Sequence, residues 1–159
     1  LYLARGGLYD KEANPEDKDG KALPRPANFN ELMKLAEADY QKVIELSEIA
    51  YKNSASLKKE ELDQLKTNYS QGLFNLGAVY FNAGVAIAKD ADKITDNAKF
   101  AAENKKANAN FNKAMPLLGK ALEINPKPND RSTMEALKQV YARLELADKL
   151  KDLNARLKN

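Results

Sequence analysis

The sequence predicts an all-α chain built from antiparallel helix hairpins stacked on one another, one of them unusually long. Three observations carry that expectation. First, the chain repeats itself. Residues 38–53 (ADYQKVIELSEIAYKN) lie without gaps over residues 109–124 (ANFNKAMPLLGKALEI), an offset of 71 positions. Ala38/Ala109, Tyr40/Phe111, Val43/Ala114, Leu46/Leu117 and Ala50/Ala121 coincide, and a second pattern recurs as LYLARG at Leu1, VYFNAG at Val79 and VYARLE at Val140. Self-similar helical units mark architectures in which each unit buries its apolar face against the next. Second, Leu62, Leu65, Tyr69, Leu73, Leu76, Tyr80, Ala83 and Ile87 recur in steps of three or four, which places them on one helix face. Phe100, Ala107, Phe111, Ala114, Leu118 and Ala121 form a matching return stripe. Third, no segment shows the alternation of a half-buried strand.

Each element has its own signals. Residues 1–11 read as the end of a first helix. Residues 14–28 (NPEDKDGKALPRPAN) contain Pro15, Gly20, Pro24 and Pro26, which exclude a regular helix. Asn28 with Glu31 three positions later fits a capping box, opening a helix to about Tyr51. Ser56 is placed to cap a long helix ending at 91–93. Residues 92–97 make the hairpin turn, with Thr95 or Asp96 capping the return. Pro116 sits inside that return helix and is expected to kink it near Asn112. Asn125, Pro126, Lys127 and Pro128 stop it, Asp130 caps the next helix, and a final pair follows at 131–145 and 148–158. Both long helices reach about 40 Å at 1.5 Å per residue, so a two-helix prong is expected beyond the ordinary stack.

The residues inside these units resemble the tetratricopeptide repeat. Leu73, Leu76, Gly77 and Tyr80 fit L-x-x-L-G-x-x-Y, with Leu73 in the Trp position, and Ala114, Leu118, Ala121 and Pro126 fit the second half with Leu118 in the Phe position. Met134, Leu137, Lys138 and Tyr141 repeat the first half with lysine replacing glycine; Leu150, Asn154 and Leu157 take the second-half positions. The resemblance implies one domain, 1–159, folded as a right-handed tetratricopeptide-like α-solenoid with one elongated hairpin. Its units are 1–54 (a partial first repeat with an insertion), 56–126 (elongated) and 130–159. The family period is about 34 residues, whereas Tyr2, Tyr80 and Tyr141 are separated by 78 and 61.

The same resemblance implies a non-catalytic scaffold that binds a protein or peptide segment in a groove lined by first-helix side chains. Carried over residue by residue, these are Phe74, Ala78, Phe81 and Asn82, then Glu135, Gln139, Ala142 and Arg143. Phe74 and Phe81 stand out, because an aromatic ring left in water calls for a partner. The competing expectation covers them with the 28–51 helix or with upstream repeats. Members of the family that clamp a terminal carboxylate use lysine and asparagine where this chain has Phe74 and Ala78, which argues against that mode and for a segment with apolar side chains.

Composition narrows the chemistry. With 159 residues the chain is one domain's worth. A net charge of +3 with 31% charged residues is a mixed surface, not a nucleic-acid footprint. Without His or Cys there is no imidazole base, thiol nucleophile or Cys/His metal site, and no cofactor is expected. Lack of cysteine leaves the redox compartment open. No apolar run is long enough to span a membrane. Glu60 with Glu61, and Glu16 with Asp17, fit a helix start and a loop better than acid–base pairs. Residues 17–20 (DKDG) resemble the opening of a calcium loop, but Asn28 stands where the twelfth-position Glu belongs. Gly6 and Gly7 fit close helix packing, and Tyr69, Tyr80 and Phe111 fit a core. Because the pattern opens mid-unit at Leu1, the chain is expected to be a trimmed piece with further repeats upstream. Abundant Asn and Lys lean toward a bacterial periplasm or cell envelope. The alternatives to a scaffold are a structural, self-associating helical module and an accessory domain of a larger envelope or carbohydrate-uptake protein.

Overall fold

The computed structural model of the protein describes residues 1–125, 127 and 130–157. Among these residues the chain forms six α-helices and no strand: α1 (Tyr2–Ala13), α2 (Phe29–Lys52), α3 (Lys59–Ala91), α4 (Asn97–Ile124), α5 (Arg131–Arg143) and α6 (Ala147–Leu157). The all-α expectation holds. At 33 and 28 residues, α3 and α4 have the elongation expected of the middle hairpin, about 50 and 42 Å at 1.5 Å per residue.

Helix ends follow the sequence signals in two cases and depart in two. Asp96 caps α4, its carboxylate accepting from the Lys99 amide at 2.8 Å. Asp130 caps α5, accepting from the Thr133 amide at 3.0 Å and the Ser132 hydroxyl at 2.9 Å. Asn28, by contrast, closes no capping box. It sits at φ −90°, ψ 18°, not in the extended conformation that aims a cap side chain at the first turn, and its carbonyl instead accepts from Glu31 and Leu32. Ser56 does not cap α3 either. Residues Ser54–Ser56 close a short 3₁₀ turn, and α3 starts at Lys59, where the Glu61 carboxylate accepts from the Lys58 amide at 3.0 Å.

α4 continues through Pro116, which lacks the N–H that would bond the Asn112 carbonyl. The expected stop at Pro126 and Pro128, and the expected last-helix end at Lys158, lie outside the described residues. α5 ends two residues before the expected 145, because Glu145 adopts φ 56°. The 14–28 segment folds as a tight turn: the Asp17 carboxylate accepts from the Asp19 and Lys21 amides at 2.9 Å, and Gly20 takes φ 75°. That carboxylate is thereby occupied by its own backbone.

The chain divides into two compact units, Leu1–Gly72 and Leu73–Asn159, with the division inside α3. In the first, α1 packs on α2. Gly6 makes this possible, since a Cβ there would lie 2.9 Å from the Tyr40 ring and 3.2 Å from the Asp39 Cβ. Beside that contact Arg5 donates from Nε and Nη2 to both Asp39 carboxylate oxygens at 2.7 Å. Ala13, Leu32, Ala36, Tyr40, Val43 and Tyr69 are buried, and the Tyr51 and Tyr69 rings lie 6.2 Å apart.

In the second unit α4 packs on α5 and α5 on α6. One cluster joins Ala88, Ala107, Phe111, Ala114, Leu118, Met134, Leu137, Val140 and Leu153. Two glycines of α3 let α4 approach: a Cβ on Gly77 would lie 2.8 Å from Leu118, and one on Gly84 would lie 2.7 Å from Phe111. Tyr69 and Phe111 are core residues as expected, while Tyr80 is only half-buried.

A Gly84→Val substitution should therefore lose about 1–3 kcal/mol in urea unfolding, because the ring it meets has no free space to enter. The Arg5 fork holds the Asp39 carboxyl below the usual carboxylate range despite burial. A depressed carboxyl contributes stability that is present above its unfolded value, about 4, and lost as pH falls through the folded one. Asp39→Asn should accordingly lower Tm at pH 7, with the gap to wild type closing as pH drops below about 4.

Candidate functional site

All eight groove positions expected from the sequence fall in the second unit. Phe74, Ala78 and Phe81 sit on α3 at i, i+4 and i+7, a spacing that shares one helix face. Glu135, Gln139 and Arg143 do the same on α5 at i, i+4 and i+8. These positions divide into two kinds. Phe74 and Phe81 are half-buried and pack against the core cluster, and the Phe81 ring lies 5.7 Å from Phe111 at 47°. Their cover is thus the unit's own core. Neither ring is left in water without neighbours, so neither demands a partner for its cover. Ala78 and Glu135 are also half-buried, and Glu135 pairs with Lys138 at 3.7 Å.

Asn82, Gln139 and Arg143 are exposed. They supply two amides and a guanidinium, groups that hydrogen-bond the backbone or carboxylates of an approaching chain. On the same helices, Tyr80 carries the Lys113 ammonium 5.1 Å above its ring, and Tyr141 carries that of Lys149 at 5.8 Å. Burial pushes the Tyr141 hydroxyl above its ordinary value, so it stays a neutral donor and acceptor at physiological pH. Such lysine–tyrosine pairs cross between helices, and helical spacing within one segment gives no sign of them.

No protein-family model matches the chain, and no significant match was found among curated proteins or solved structures.

Elsewhere the surface offers less chemistry. Among the described residues no group of three or more acidic side chains is arranged to hold a metal ion. No described helix is long and apolar enough to cross a membrane. The first unit carries an open cleft of about 460 Å³ lined by Leu1, Tyr2, Leu3, Ala4, Val43 and Leu46, with Ser47 and Asn68 as polar lining. Sequence periodicity does not reveal it, because Leu46 and Val43 read as one apolar stripe whether or not a neighbour covers them.

The division into packed and free positions has a direct consequence for stability. Phe81→Ala should cost about 2 kcal/mol in chemical unfolding, less than the roughly 3–5 kcal/mol of a fully buried aromatic because the ring is only half-buried. Asn82→Ala, Gln139→Ala and Arg143→Ala should each stay within about 0.5 kcal/mol of wild type.

Proposed function

We propose that the chain is a non-catalytic, tetratricopeptide-like scaffold, a right-handed stack of antiparallel helix hairpins, that binds a segment of a protein partner through its second unit. The segment lies along α3 and α5, where Phe74, Ala78, Phe81 and Glu135 form a half-buried floor and Asn82, Gln139 and Arg143 are the polar contacts. The observation that carries this reading is the pairing of motif halves. Gly77, the small residue of the first half, leaves the space that Leu118, the large residue of the second half, fills. Leu73, Leu76, Ala114, Ala121, Met134 and Leu137, which bear the same pattern, are all buried. A chain without His or Cys supports the non-catalytic part.

A self-associating module is the second reading, favoured by Leu35, Leu46 and Ile49, which are 41–55% exposed on α2. It requires a concentration-dependent monomer–dimer equilibrium, and a single sedimenting monomer across the micromolar range would remove it.

The groove reading is tested with exposed positions, since replacing the phenylalanines would confound binding with folding. Wild-type protein and an Asn82→Arg/Gln139→Arg/Arg143→Glu variant serve as baits in a lysate, with mass-spectrometric readout. A protein retained by wild type and lost by the equally helical variant is the expected result. Undiminished retention by the folded variant would refute the groove.

A further inference from the structure

α4 carries five lysines and two glutamates, and four of the lysines stand in single file. Lys99, Lys106, Lys113 and Lys120 are separated by seven residues each. Seven residues are nearly two turns, so successive members drift by only about 20° around the axis and lie about 10.5 Å apart along it. The row runs about 31 Å down the helix flank. Lys99, Lys106 and Lys113 are exposed and Lys120 is half-buried. The residues three positions after the first two lysines are Ala102 and Ala109, both exposed. Over the first two heptads the pattern is thus a lysine followed, three positions on, by an exposed alanine.

We propose that this row is a docking surface for a helix of a partner protein whose Glu or Asp side chains recur every seven residues. A parallel or antiparallel helix with that spacing matches the exposed Lys99, Lys106 and Lys113 with one carboxylate each, because both rods repeat at the same rise. Ala102 and Ala109 leave room for its backbone between the charges. Charge complementarity selects the partner. The acidic side chains within α4 are Glu103, which pairs with Lys106, and Glu123. An exposed pair of that kind is worth less than about 1 kcal/mol and exchanges readily for an incoming carboxylate. Lys113, resting over Tyr80 at 5.1 Å, is held in place before the partner arrives.

Two other polyanions fit less well. Nucleic-acid surfaces interleave aromatics for base stacking and arginines for phosphate forks, and this row contains neither. A membrane surface calls for apolar side chains beside the lysines. The large exposed apolar residue described on α4 is Phe100, about 100° around the axis from Lys99. The row lies on α4 and the groove positions on α3 and α5, so the two are tested with different residues.

The test uses the full chain and a labelled, alanine-rich helical peptide of about 22 residues, the length of the row, with Glu at every seventh position. Controls are a peptide of equal composition with irregular Glu spacing, an oligo-dT strand and phosphatidylserine vesicles. The heptad peptide should bind best, and more weakly as salt rises from about 50 to 200 mM. A Lys106→Glu/Lys113→Glu variant of unchanged helicity should lose at least about tenfold in affinity, and a Lys106→Arg/Lys113→Arg variant should retain binding. Should the glutamate variant unfold, Lys106→Ala/Lys113→Ala reads the same loss. Equal binding of both peptides, tighter binding of oligo-dT or vesicles, or unchanged affinity in the folded variants would overturn the proposal.

Discussion

The close approach of α3 to α4 is the contact on which the second unit depends. Gly77 and Gly84 are seven residues apart on α3, and each occupies a point where a methyl group would collide with α4, at Leu118 and Phe111 respectively. Helices held this near place Leu118 and Phe111 at 0–1% exposure. Each such side chain is worth roughly 1.5–3 kcal/mol of burial. Phe111 in turn supports Phe81, and Leu118 shares its cluster with Met134, Leu137 and Val140 of α5. Two residues without side chains thus decide how the larger ones fit.

The first unit solves the same problem with a charge beside its glycine. Gly6 brings α1 against Tyr40, and the Arg5 fork neutralises Asp39, whose side chain is 7% exposed. Leaving that carboxylate buried without its partner would be costly, so the ion pair specifies how α1 seats on α2 more than it adds raw stability. Most other ion pairs, such as Lys42–Glu45, Lys59–Asp63 and Lys93–Asp90, are exposed i,i+3 or i,i+4 pairs within one segment. They support local helicity by a few tenths of a kcal/mol each and leave the surface well solvated.

This arrangement constrains function. The side chains with the largest apolar area on the expected groove face, Phe74 and Phe81, serve the core first, and the exposed groups around them are the Asn82 and Gln139 amides and the Arg143 guanidinium. Lysine chemistry lies elsewhere, along α4, where Lys99, Lys106 and Lys113 are exposed. The two faces differ in chemistry: α3 and α5 expose amides, a guanidinium and an apolar edge, and α4 exposes a row of lysines.

Element type and approximate extent were legible from the sequence, because a period of three to four residues is a local property that α2, α3 and α4 carry over many turns. Asp96 and Asp130 were legible as caps for the same reason: the cap acts on amides two or three residues away. Asn28 and Ser56 failed as caps because their backbone conformations follow from how the preceding loop and 3₁₀ turn enter the helix. The buried state of Tyr69 and Phe111 followed from the stripe. The half-buried state of Phe74, Phe81 and Tyr80 did not, since a residue at the edge of a stripe is covered or free according to its neighbouring helix. The fit of Gly84 to Phe111, the Arg5–Asp39 fork across 34 residues and the lysines over tyrosines are all contacts between segments distant in the chain. Local pattern determined that this protein is helical and where its helices run. Which side chains remain available to a partner was decided only when those helices packed, because exposure belongs to a pair of surfaces and not to a residue.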